Sequence, residues 1–365
     1  MSGPMDLHRQ ANPRQQLVRS GQRLPTSRVF CLAATLFLSL AGNPARADRS
    51  FDLMLTPQST DAYSMITVER AQTPQQYEFG IQTTFGWARN PFSPTLSIPP
   101  SGADQTRANL IGNQFTLDLG FFFGLTKWLS IAAVMPVGAN TYDEEVLGLS
   151  TVVSPPIAPN RLASTQTSGL YRGEPRQSID IARSGLRDPR LAVKVRFFTS
   201  KHVELGTLLD LTLPFGDRAS FLGERTATFR PKLLFGIMAS RLNIALNFGA
   251  IVRGSAVLYD GYNSMGIARY QTMPELTWGA GATVFLHRLI SLGLEGIGHI
   301  PIGAEPQFAT PLATLLGTVY FRALDKWRLY IAGGGGLVSS SERNAQGRLL
   351  VGFSYSLSPR EGGLR

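Results

Sequence analysis

The chain has 365 residues, with 35 Lys and Arg against 25 Asp and Glu; its formal net charge is +10, its apolar fraction 43% and its charged fraction 16%. The basic residues are scattered and form no patch, so composition gives nucleic-acid binding little support. No apolar run approaches the roughly 20 residues that a membrane-spanning helix needs.

The first element is Val29 to Leu40, a short apolar stretch. Arg9, Arg14, Arg19, Arg23 and Arg28 precede it, and Ala45-Arg46-Ala47 comes after it. A basic start, a short apolar middle and an A-x-A end predict a secretory signal over 1–47, cleaved before Asp48. An uncleaved anchor helix is the rival reading, and the stretch is short for it. Six Arg and one acid leave with the signal, so the remaining chain holds 29 bases against 24 acids, a net +5. The sole cysteine, Cys31, leaves too. A thiol-free chain suits an oxidising compartment and excludes cysteine nucleophiles and thiolate metal sites.

Residues 48–75 come next and contain an alternating piece, Tyr63 to Glu69. Two readings are open: a periplasmic lead-in, or a plug tucked into or under the structure formed by the rest of the chain. From Tyr77 a period of two takes over. Tyr77, Phe79, Ile81, Thr83, Phe85 and Trp87 share one face; Glu78, Gly80, Gln82, Thr84 and Gly86 share the other. The stretch 115–124 repeats the pattern, with Phe115, Leu117, Leu119, Phe121 and Phe123 opposite Thr116, Asp118 and Gly120. Alternate side chains of a strand point to opposite faces, so each segment has one apolar and one small or polar side. Ten further segments lie at about 128–137, 189–199, 203–213, 227–238, 242–253, 273–286, 290–300, 312–323, 328–336 and 348–357. Most exceed the 5–6 residues usual for soluble strands and suit the roughly 9–11 of a tilted transmembrane strand.

The connections alternate as well. Short turns fall at Thr126-Lys127, Ser200 to His202, Ala239 to Arg241, His287-Arg288 and Leu324 to Lys326. Longer polar loops fall near 88–113, 138–187, 214–226, 254–272, 301–311 and 337–347. The fold expected over 76–357 is therefore an all-β, antiparallel up-and-down transmembrane β-barrel of about 12 strands, with short periplasmic turns and long extracellular loops. Trp128 and Trp327, beside short turns, read as an interfacial girdle. The last strand carries Gly352, Tyr355 and Leu357 at the spacing of a barrel-insertion signal, and a short tail, 358–365, lies beyond it.

With these residues in view, the chain resembles the N-terminal barrel portion of large outer-membrane proteins of the OmpA family and, more distantly, small-aromatic-solute channels of outer membranes. The resemblance rests on Ala88 to Phe92, on Gly185 to Leu191, and on Leu211 to Arg218 continuing through Phe221 to Glu224 and Thr228 to Pro231. It implies an outer-membrane barrel. The calcium-binding linker and peptidoglycan-binding module that often extend such proteins have no counterpart after the last strand, so cell-wall anchoring does not carry over.

The inward faces collect Glu78, Asp118, Lys194, Arg196, Glu204, Asp210, Arg230, Lys232, Arg253, Glu275 and Glu295, with many glycines between them. Charges in a membrane-embedded structure must be paired or wet. The faces allow two readings: cross-strand ion pairs filling a structural barrel, or a narrow passive channel for small polar or amphipathic solutes. The expected partners are membrane lipid, barrel-assembly machinery and such solutes; no nucleic acid, cofactor or metal is expected. Enzymatic work has one thin candidate, His299 with Glu295 on the same face, and no nucleophile beside it. The 138–187 loop, with Asp143-Glu144-Glu145 near its start, reads equally as an inward constriction or an outward surface.

Overall fold

The computed structural model describes residues 57–93, 95–97, 105–107, 111–142, 184–217, 222–224, 226–254, 256–257, 271–303, 311–323, 326–338 and 344–357. The expectations for the signal 1–47, for 48–56, for 143–183 of the longest loop, for the Leu324-Asp325 turn and for the tail 358–365 lie outside those residues.

Twelve long strands form the wall. They are β1 Phe79–Phe92, β2 Ile111–Gly124, β3 Leu129–Tyr142, β4 Arg190–Thr199, β5 Val203–Thr212, β6 Thr228–Met238, β7 Leu242–Ile251, β8 Glu275–His287, β9 Ile290–Pro301, β10 Leu312–Ala323, β11 Trp327–Gly336 and β12 Gly347–Leu357. Each pairs antiparallel with the next, and β12 returns to β1 in a register running from Phe79 opposite Leu357 to Arg89 opposite Gly347. The sheet therefore closes on itself and leaves no row of unpaired amides facing lipid. A short strand, Ser184–Leu186, continues the wall beside β3. Two small ladders, Thr95–Ser97 with Gln105–Arg107 and Ala256–Val257 with Gln271–Thr272, rise in the loops after β1 and β7. No helix occurs among the described residues.

Period two sets the faces. In β2 the residues Phe115, Leu117, Leu119 and Phe121 are exposed, while Thr116, Asp118 and Phe122 are buried. The same division recurs around the wall, with Leu191, Leu209, Leu233, Phe248, Leu276, Leu294, Ile331 and Val351 all exposed. A continuous apolar exterior of this kind is untenable in water and natural in a bilayer. At the short-turn end Trp128 is exposed, and Trp327 stacks at 4.5 Å between ring centroids on Tyr355. That is the aromatic girdle expected at a membrane boundary.

Three strands outrun their sequence-based limits at the long-loop end. β1 continues to Phe92, β2 starts at Ile111 and β3 reaches Tyr142. There the ladder runs on through Arg89, Asn113, Gln114 and Asn140 and, after a register shift at Asn90, through Phe92 opposite Ile111, so hydrogen bonding persists where the apolar alternation has faded. At its start β1 is shorter than expected: Tyr77 has a φ of 62°, a left-handed turn conformation, and ladder pairing begins at Phe79.

Candidate functional site

The barrel interior is polar and held by ion pairs. At the long-loop end Arg253 bridges Glu224 and, at 2.7 Å, Glu275, whose other oxygen lies 2.9 Å from Nδ1 of His299. His299 thus partners Glu275 across the β8–β9 pair. The expected pairing with Glu295 is not made, because period two fixes a shared face but not which residues meet at one depth. The motif Gly185 to Leu191 meets Leu211 to Asp217 and Leu222 to Glu224 here. Asp188 accepts the amides of Gly216 and Glu224, both at 2.6 Å, which clamps the loop after β5 over the start of β4. Arg187 pairs with Asp118 at 3.5 Å. Arg190 grips Asp210 on the neighbouring strand, and Arg230 stands opposite Asp210 on the other side.

Deeper inside, residues 58–73 lie against the inward faces. Lys194 Nζ donates to Asp61 and Glu69 at 2.7 Å each and to Ser64 at 3.0 Å. Glu69 also accepts the Thr60 amide at 2.7 Å. Arg70 pairs with Glu204 at 3.1 Å. Asn247 holds the Glu69 backbone at both ends, accepting its amide at 2.8 Å and donating to its carbonyl at 2.7 Å. Glu295 accepts the three successive amides of Ile66, Thr67 and Val68, together with the hydroxyls of Thr67 and Tyr320. Consecutive amides converging on one carboxylate form an anion nest. Toward the short-turn end Arg328 donates to the carbonyls of Ala62 and Ser64, and Glu78 accepts the Tyr63 hydroxyl and the Gln75 amide.

Apolar contacts complete the fit. Met65 and Val68 pack on Ala245 and Ile297, Ile66 on Leu316, Tyr320, Tyr330 and Leu350, and Ala71 on Leu208 and Leu234. Two inward glycines make the room. A Cβ at Gly281 would stand 2.3 Å from the Met65 sulfur, and one at Gly206 would stand 3.2 Å from the Ala71 methyl.

Burial drives the Glu69 pKa upward, but Lys194 and Lys232 outweigh it, so the carboxyl is held below its ordinary range. Burial and the adjoining Glu78 raise the Tyr63 hydroxyl, which stays neutral.

Of the eleven residues singled out in the sequence, Glu78, Asp118, Lys194, Glu204, Asp210, Arg230, Arg253, Glu275 and Glu295 are all buried. Lys232 is half-buried and borders a recess on the long-loop side of residues 57–67. Arg196 stands apart: it lies at the short-turn rim beside a register shift and donates to the Lys127 carbonyl. Sequence reasoning missed Arg187, Arg190 and Arg348, although Arg190 and Arg348 share parity with Lys194 and Leu350 on their strands. It also missed Asp61 and Arg70, which lie outside any alternating stretch, and Glu69, which ends the short alternating piece from Tyr63. No group of three or more His, Cys, Asp or Glu lies where it could hold a metal ion among the described residues.

A closed antiparallel wall, apolar outside and charged within, defines a transmembrane β-barrel of the outer-membrane type. Among solved structures the chain is similar to the COG4313 outer membrane channel from Pseudomonas putida F1, at 13% identity and a TM-score of 0.52, with 79% of this chain and 98% of that one covered. The NanC porin (6% identity, TM-score 0.45, 76% and 100% covered) and the KdgM porin (9%, 0.40, 76% and 99%) also align. At such identities the likeness is one of fold. No protein-family model and no curated protein matches the chain.

Proposed function

We propose that the protein is a passive channel of the outer membrane for small polar or amphipathic solutes, narrowed by its own N-terminal segment. In this reading 1–47 is an export signal removed near Ala47, barrel-assembly machinery inserts the chain, and residues 48–75 form the plug. The inward charges from Glu78 to Glu295 line the path, and no catalysis takes place. The observation that carries the proposal is the recess beside Thr67, where Lys232, Arg230, Arg253, Asn247 and His299 share the lining with Ile251, Trp278 and Ile297. A purely structural barrel has no use for an open recess with charged side chains in its lining. The resemblance to large OmpA-family proteins stays at the level of its motifs, two of which serve as the Asp188 clamp.

The density of contacts around residues 58–71 favours a second reading, a barrel sealed by that segment. Liposome swelling on refolded protein separates the two. Entry of small sugars or amino acids with the intact protein supports the channel, and entry only after deletion of 57–75 supports the sealed barrel. Impermeability of both forms contradicts both readings.

A further inference from the structure

The recess has a lining of mixed chemistry. On β6, Arg230 and Lys232 point inward one above the other, and Asp210, opposite Arg230, is already held by Arg190. The Lys232 ammonium makes no hydrogen bond or ion pair among the described residues, whereas Lys194 meets two carboxylates. Its stem lies across Gly249, where a Cβ would stand 2.9 Å from Cγ, so the neighbouring strand leaves it room to reach the space. Ile251, on the neighbouring strand β7, and Ile297, on β9, are buried on the inward side and also line the recess, among the polar Asn247, Arg253, Thr277 and His299. A half-buried ammonium that feels Glu69 only at a distance and makes no direct bond among the described residues, in a recess it shares with apolar side chains, fits a ligand with one anionic and one hydrocarbon end.

We propose that the recess is a subsite for small amphipathic carboxylates, with the Lys232 ammonium anchoring the carboxylate and Ile251 and Ile297 seating the hydrocarbon. The inference rests on the solute-channel reading and gives it a substrate class. Arg230, beside Asp210, strengthens the local positive potential, and Thr277 supplies a hydroxyl at the same level.

The test is calorimetric titration of the refolded full chain in detergent with hexanoate, hexylammonium, hexanol and acetate. Hexanoate binds best, hexylammonium does not bind, and acetate binds more weakly for want of the apolar seat. Lys232→Gln weakens hexanoate by about tenfold or more, and Lys232→Arg restores most of the affinity. Equal binding of hexanoate and hexylammonium overturns the proposal, as does unchanged hexanoate affinity in Lys232→Gln. The wild-type contrast between opposite charges stands even if Lys232→Gln does not fold. Acetate binding as tightly as hexanoate removes the apolar seat and overturns the amphipathic class. Binding in micelles does not depend on conduction: a permeable barrel that ignores hexanoate refutes the subsite alone, and a sealed barrel that binds it refutes the channel alone.

Discussion

Glu295→Gln probes the nest that fastens the N-terminal segment. In the wild type Oε2 accepts the amides of Thr67 at 2.8 Å and Val68 at 3.1 Å and the Thr67 hydroxyl at 2.8 Å. Oε1 accepts the Ile66 amide at 3.1 Å and the Tyr320 hydroxyl at 2.9 Å. The three amides can only donate, while the hydroxyls can also accept, so an amide nitrogen confronts at least one amide donor at either position. The less costly rotamer keeps oxygen toward Thr67 and Val68 and points the NH2 at the Ile66 amide, while the tyrosine hydroxyl turns away. One buried amide is then orphaned, at about 1–3 kcal/mol, and three retained bonds lose their charge assistance, at about 1 kcal/mol each. The segment should lose about 4–6 kcal/mol of local stability, which multiplies its opening equilibrium by roughly three to four powers of ten. Hydrogen–deuterium exchange read by mass spectrometry over 57–75 measures this directly. Fast exchange there, with strand amides still protected, is the expected outcome. Wild-type protection at Ile66, Thr67 and Val68 in the variant would refute the nest as the fastening.

Lys194→Met strands Asp61 and Glu69 without their cation, and a loss of about 3–5 kcal/mol should appear in urea unfolding of the refolded barrel. A midpoint equal to wild type would contradict the pairing. The Glu69 carboxyl has a folded-state pKa below its ordinary 4.5, so its stabilisation is complete above that value and is lost as pH falls through the folded-state pKa. Exchange over 57–75 should therefore accelerate on acidification below about pH 4.5, and Glu69→Gln should flatten that dependence; equal pH profiles would dismiss Glu69 as the responsive group. Gly206→Val places a branched side chain where a Cβ already stands 2.7 Å from the Val195 carbonyl and 3.2 Å from Ala71. It should cost about 1–3 kcal/mol and raise exchange around Ala71, and an undisturbed segment would show that the glycine is not there for fit.

The wall was legible because lipid outside and polar space inside impose opposite demands on alternate residues. That contrast located β4 to β12 within a few residues and placed Lys194, Asp210, Glu275 and Glu295 on the correct face. Above the lipid belt both faces of a strand can be polar, which hid the outer ends of β1, β2 and β3. Parity specifies a face but not a depth, so His299 was matched to Glu295 along its own strand when its partner, Glu275, lies across the ladder. The balanced charges and plentiful glycines were visible without their purpose. Several of those charges meet residues 58–71 rather than one another, and Gly206 and Gly281 clear space for Ala71 and Met65. The segment's alternating piece, Tyr63 to Glu69, left plug and lead-in equally open, because its fastenings, a carboxylate nest, the Asn247 clamp and buried ion pairs, are all formed with residues far along the chain.

Single-channel conductance in planar bilayers, compared between the intact protein and a form lacking 57–75, tests the central claim most directly. The account predicts small or rare openings for the intact barrel and a larger, steady conductance once the segment is gone. Identical currents from the two forms would contradict it.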